Sequence, residues 1–428
     1  MKKCLSLVLI VFVVMNLLTA TVFAAKPLTY KDYMKQGNTL MTQGKYQEAV
    51  QAYDKAIKLN SKYAEAYLKK GICLDYLEKY ADAIKALDMA IKLNVKYAEA
   101  YFYKADVLSC QGKYAEAVKQ YDLAIKYNSK YADAYCDKGH ALFVLEKYDD
   151  ALKAFDMAIK LAPKHSVAYM NKGSVLNRLG KTEEAIAAYD KAIQYNPKYV
   201  DAYVNKSMVL HDTGKYEEAI VVCDKAIKLD PENVDAYFYK GLSLNSLEKY
   251  EDALTALNRV LELDPEHTGA YANAVISLYY LKSYEEAVEV ADYLISVDSK
   301  DVFAYYYKGI SLADMGKDAD AIAALDKAIE LMPEVIAAYH KKGSILYKQG
   351  KYEEAINVLE SALKIAPDDP TLYYNIACSY SLLNKPKEAL ENLKKAVELD
   401  ESFKETAKAD KDFDNIRNTD DYKAFIGG

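Results

Sequence analysis

The stretch from Gly173 to Thr182 ends in Gly180-Lys181-Thr182, the tripeptide with which a phosphate-binding loop closes. Such a loop cradles phosphates on backbone N–H groups, and its lysine reaches the terminal phosphates. The spacing does not fit, because the loop needs its first glycine where Val175 stands. The five histidines, His140, His165, His211, His267 and His340, are scattered and do not form a zinc motif. Acids are abundant, yet no pair stands apart as a general acid and base. Five cysteines follow the first 25 residues: Cys73, Cys110, Cys136, Cys223 and Cys378. That odd, dispersed set is neither a disulfide framework nor a metal site, and free thiols are expected. The residues imply no enzyme, no cofactor and no metal.

Composition narrows the classes further. Of 428 residues 52% are hydrophobic and 28% charged, enough apolar material for a large core. The formal net charge of −7 argues against a general nucleic-acid binder, which needs a basic surface to displace counterions. Residues 1–24 read as a signal peptide. Lys2 and Lys3 form a basic start, Leu5 to Leu18 an apolar run, and Val22-Phe23-Ala24 a cleavage site. The rival reading is an uncleaved anchor, since Cys4 to Ala25 approaches the length that spans a bilayer. Export to the cell envelope or medium follows from either, with membrane attachment only in the second.

The elements that would position any site are set by repetition. Gly44-Lys45-Tyr46 returns, with small changes, every 34 residues as far as Asn384-Lys385-Pro386. This defines eleven units from Tyr30 to Phe403 (residues 30–403), after a short lead at 25–29. Position 4 of every unit is Tyr, from Tyr33 to Tyr373, and position 20 is always Ala, from Ala49 to Ala389. Position 8 is small except at Val275, and position 11 is Leu until Tyr380. The second helix carries an acid in its first turn, such as Glu48 or Asp82, which complements the helix dipole. The eighth unit exchanges sizes: Val275 stands at a small position, Ala291 at a large one and Leu294 at a small one. Conserved volume and a looser joint are the two readings of that exchange. Thr29 with Asp32 forms a capping-box pattern at the start.

This pattern resembles the tetratricopeptide repeat, with Tyr where that family often has Trp. The resemblance implies an all-α fold: a right-handed α-solenoid, or superhelix, of eleven 34-residue helix-turn-helix repeats. Its first helices would line a concave groove, with positions 2, 5, 6, 9 and 12 facing inward. Tyr374-Asn375-Ile376-Ala377-Cys378, followed by Asp410-Lys411-Asp412-Phe413 and Phe425, resembles the closing repeat and end segment of many bacterial and archaeal members. A C-terminal cap over residues 404–428 is therefore expected.

The resemblance also points to groove residues. Asn171, Asn205, Asn273 and Asn375 stand at position 6, where some members hold a peptide backbone by an asparagine ladder. An amide suits that task because it donates and accepts at once. Phe102, Phe238, Tyr306 and Tyr374 at position 5 would add aromatic contacts, unless they pack on neighbouring helices. The family's carboxylate clamp is incomplete: Asn38 fits, but Met34 takes the place of its lysine. The implied function is an exported scaffold that binds a protein or peptide partner. The alternatives are a structural spacer without a groove ligand, and an enzyme with an unrecognised site.

Overall fold

A computed structural model describes residues 28–427; the signal-peptide reading lies outside them. The fold is all-α and built of helix pairs. Each unit starts with a first helix of thirteen residues, beginning with α1 (Tyr30–Thr42). A three-residue turn leads to a second helix of fourteen, beginning with α2 (Tyr46–Leu59). The same frame recurs through α21 (Pro370–Leu382) and α22 (Pro386–Leu399), with the second helix of the tenth unit shortened to Tyr352–Leu363. The chain forms two compact bodies, Met1–Pro197 and Lys198–Gly428. The first holds units one to five. The second holds units six to eleven, then α23 (Ser402–Ala409), a single 3₁₀ turn (Lys411–Phe413) and α24 (Asp420–Gly427). No described helix is long and apolar enough to cross a membrane.

Local chemistry explains the frame. Thr29 and Asp32 close the capping box that their spacing predicts: the Thr29 amide donates to the Asp32 carboxylate at 2.7 Å, and Asp32 N–H donates back to Thr29 Oγ1. Second helices have Lys at the N-cap in most units, a side chain that cannot accept a hydrogen bond. The acids of the first turn, Glu48 and Asp82 among them, supply negative charge there instead. His165 and His267, which the sequence leaves without a role, cap first helices by accepting from Ala168 and Ala270 N–H at 3.3 and 3.0 Å.

The turn between paired helices always passes through the left-handed region. Gly44 has φ 73°, and the equivalent residues Glu78, Glu146, Glu248 and Lys282 have φ of 57–63°. A residue with a Cβ pays a steric penalty there that glycine escapes. Glu78→Gly, Glu146→Gly and Glu248→Gly are each expected to stabilise their unit by about 1 kcal/mol. Guanidinium unfolding midpoints of the three single variants measure this directly.

Neighbouring units are stitched by an ion pair that recurs with the period. Lys70–Asp54, Lys104–Asp88, Lys138–Asp122 and Lys172–Asp156 in the first body meet at 2.6–2.7 Å. Lys240–Asp224 and Lys308–Asp292 in the second meet at 2.5–2.7 Å, and Lys342–Asp326 pairs in the same way. Each lysine lies 16 residues after its aspartate, so each bond joins position 7 of one unit to position 25 of the unit before. At two joints of the second body the partners differ: Asn258 faces Ala274, and Glu360 faces Ile376.

Candidate partner-binding face

Within each body, successive first helices are neighbours, so positions 2, 5, 6, 9 and 12 line up from unit to unit. The two bodies present different chemistry on that face. In the first body acids predominate over units two to four, while Lys31, Lys35 and Lys69 stand at the same positions in units one and two. Glu65, Asp75, Glu99, Asp106, Asp133 and Asp137 all occupy these positions. Burial, reinforced by the charges of Asp137, Asp75 and Asp133, pushes the Asp106 carboxyl up to about 7, although Tyr121 Oη donates to it at 2.7 Å. Burial, then the Asp133 charge, pushes Asp137 up to about 7 as well. The positions were marked in the sequence, but their shared sign emerges only when the columns are read across units.

These shifts carry a pH dependence. The folded chain holds its proton on Asp137 to a higher pH than the unfolded chain, whose Asp titrates near 3.9. Folded protein therefore binds more protons between pH 4 and about 7, and stability falls as pH rises through that window. Asp137→Asn is expected to leave stability at pH 4 unchanged and to raise it at pH 8 by on the order of 1–2 kcal/mol. Denaturant unfolding of the full chain at both values checks the sign.

Two of the predicted residues in this body serve local packing. Phe102 is 8% exposed, with its ring centroid 4.7 Å from Tyr131 and 5.9 Å from Tyr121. Half-buried Asn171 stands beside the buried Cys136 thiol of the preceding unit. A depression of about 440 Å³ beside the first helix is lined by Lys31, Met34, Lys35 and Asn38, all at face positions.

In the second body the face is rich in tyrosine. Tyr280, at position 13 next to that face, stacks at 4.6 Å on Tyr250 of the preceding second helix and is 51% exposed. Tyr279 lies 6.0 Å from Tyr307, which meets Tyr306 at 5.3 Å. Tyr279 Oη donates to Asp314 at 2.9 Å, and Lys341 donates to the same carboxylate at 2.6 Å. Phe303 beside them is 65% exposed. Of the predicted residues here, Phe238 is half-buried against His267 at 4.6 Å, and Tyr306 is half-buried. Asn205 donates to the Asp201 carbonyl at 2.8 Å and Asn273 to the Gly269 carbonyl at 2.9 Å, so both amides brace their own helices. Asn245, which sequence reasoning passed over, donates to the Asn273 carbonyl at 3.0 Å and accepts from Ser277 Oγ at 2.7 Å, tying two first helices together.

At the end of the second body the tail covers the face. Tyr374 is 7% exposed: its Oη donates to Asp410 at 2.6 Å, and its ring meets Phe403 at 4.7 Å and Phe413 at 5.8 Å. Tyr347 Oη donates to Asp412. Asn375 lines the cavity of about 290 Å³ left between this tail and the last two units. Cys378, Asp410 and Asp412 place one donor atom each within 4.8 Å of the others. Burial pushes the Cys378 thiol up, so it stays protonated, and both carboxylates accept from tyrosines. The set acts as a hydrogen-bonded seat for the tail. All five described cysteines are free, and only Cys110 is exposed.

Helix pairs recurring at 34 residues, with varied side chains over a constant core, define a helical-repeat scaffold of the protein-interaction type. A family profile described as "TPR repeat" matches residues 37–73, 105–145 and 343–384. One described as "Tetratricopeptide repeat" matches 136–198, 171–232 and 272–335, and another of the same description matches 370–403. The profile of the anaphase-promoting complex, cyclosome, subunit 3 matches 212–294. The chain belongs to the tetratricopeptide-repeat family. No curated protein matches it. Among solved structures, YrrB, described as a TPR protein with an unusual peptide-binding site, is 27% identical over 44% of this chain and 96% of its own, with a TM-score of 0.38. MamA is 28% identical over 38% of this chain and 95% of its own (TM-score 0.35), and yeast Tom70 18% over 93% and 99% (TM-score 0.41).

Proposed function

We propose that the chain is an exported scaffold that binds an extended partner segment on the tyrosine-rich face of units seven to nine. The observation that carries this is the pair of exposed rings, Tyr280 and Phe303, flanking the half-buried Tyr279 and Tyr307. Aromatic side chains dominate the energetics of protein interfaces, because each buries a large area with little rotamer entropy to lose. The surface is preformed, so little ordering cost is left at binding. Export rests on Lys2-Lys3, the apolar run and the Val22-Phe23-Ala24 site.

Selection of peptides from a random twelve-residue display library on the full chain tests the binding reading. The selected peptides are expected to lose at least tenfold in affinity for the Tyr280→Ala/Phe303→Ala variant. Selection of nothing, or of peptides indifferent to that variant, would remove this face as the site. N-terminal sequencing of the exported chain tests the localisation, with Ala25 expected as the first residue.

A further inference from the structure

We propose that Tyr279 and Tyr306 form a docking site for an acidic–aromatic segment of the type Asp-Xaa-Asp-Phe, an inference that rests on the partner-binding reading of this face. Position 12 of one unit and position 5 of the next are both tyrosine at two places in the chain, Tyr279 with Tyr306 and Tyr347 with Tyr374. The second pair shows what such a pair does. Its two hydroxyls hold the carboxylates of Asp412 and Asp410, and Phe413 of the same segment packs edge-on to the Tyr374 ring.

The first pair stands two units earlier in the same register, where no tail covers it. The two hydroxyls recur, while Tyr280 stands where Lys348 lines the tail seat. The single hydroxyl proton of Tyr279 goes to Asp314 in the free protein, so an incoming carboxylate takes it by displacing Asp314. Lys341, bonded to Asp314, keeps that carboxylate paired when the Tyr279 hydroxyl turns to the incoming acid. Burial raises the hydroxyl pKa of Tyr279 and of Tyr306, so both stay protonated donors at any physiological pH. The surroundings are more apolar than at the tail seat: Ile276 and Ile310 stand where Ser344 and Cys378 line the cavity there. With Tyr280 and Phe303 exposed alongside, this site offers more for the phenylalanine to cover than the tail seat does.

The probe is a fluorescently labelled peptide with the sequence of residues 408–417, KADKDFDNIR, titrated with the full chain and read by anisotropy. Saturable binding is expected, weakened at least tenfold by Tyr279→Phe/Tyr306→Phe and unchanged by Tyr347→Phe. A peptide with asparagine in place of both Asp410 and Asp412 is expected to bind at least tenfold more weakly. The phenylalanine variants keep the rings, and an unchanged thermal midpoint confirms their fold. No saturable binding, equal binding to Tyr279→Phe/Tyr306→Phe, equal binding of the asparagine peptide, or loss of binding in Tyr347→Phe would each overturn the proposal. If the acidic peptide fails while library peptides still depend on Tyr280 and Phe303, only the partner chemistry is wrong. If both fail, the face itself is not the site.

Discussion

Ala291→Leu is expected to destabilise the eighth unit by about 1–3 kcal/mol, and a second change, Val275→Gly, to recover most of that loss. In seven units position 8 is glycine, and a Cβ built there would lie 2.5–2.8 Å from the large side chain at position 24, such as Tyr53 opposite Gly37 or Leu325 opposite Gly309. The eighth unit reverses the sizes. Val275 and Ala291 are both buried, in one cluster with Leu294 and Ala304. The exchange conserves volume, which settles the two readings of this unit in favour of a filled joint. Ala291→Leu puts a side chain where Val275 already stands, and Val275→Gly alone leaves a hole at a cost of about 2–4 kcal/mol. The pair together restores positions 8 and 24 to the arrangement of the other units, with Leu294 alone still exchanged, so its coupling energy should be favourable and in the range of about 1–3 kcal/mol. Amide hydrogen exchange across residues 268–297 reads the unit by itself. A double variant as unstable as the sum of its singles would mean that the two positions do not share one space.

Phe413→Ala should release the tail. Phe413 is fully buried between Tyr374 and Tyr422, and truncation of such a ring costs about 3–5 kcal/mol. What remains is Ile416 and Tyr422, buried in the same cluster, and the polar bonds that cross to the repeats: the two tyrosine–aspartate bonds and Asn415 on the Ser381 carbonyl at 3.3 Å. Loss of about 3–5 kcal/mol from the centre of this cluster raises the fraction of time the tail is open, since local opening is governed by the contacts of the segment itself. Limited proteolysis should then cut after residue 403 at least tenfold faster than in the wild type, with units six to ten still protected. Unchanged cleavage would show that Ile416, Tyr422 and the polar bonds hold the tail without Phe413.

The fold was legible because the same information is written eleven times. Tyr at position 4 and Ala at position 20 mark every unit, and helices begin at Tyr30, Ala64 and Ala98 in step with them. The face was legible only as a set of positions. Phe102 and Tyr374 share a column with Phe238 and Tyr306, yet Phe102 is buried by Tyr131 at the end of its own unit, and Tyr374 by the tail, which lies outside the 34-residue frame. The asparagines were read as a ladder facing a ligand, while Asn205 and Asn273 bond carbonyls four residues earlier on their own helices, a choice of rotamer that sequence does not specify. The lysine–aspartate stitch was present in the sequence at a fixed spacing of 16. It escapes a reading made column by column because its two ends belong to different units.

That stitch has a consequence for how the chain finds its own alignment. Joints with the same ion pair, the same alanines and the same turn are interchangeable, so a newly formed helix pair fits a distant neighbour almost as well as its own. Slippage by a whole unit is the characteristic error of such a chain during synthesis. The eighth unit, with Ala274 in place of the lysine and its sizes reversed, accepts no other unit's partner equally well. It serves as a registration mark in the middle of the second body, as Thr29 and the tail do at the two ends.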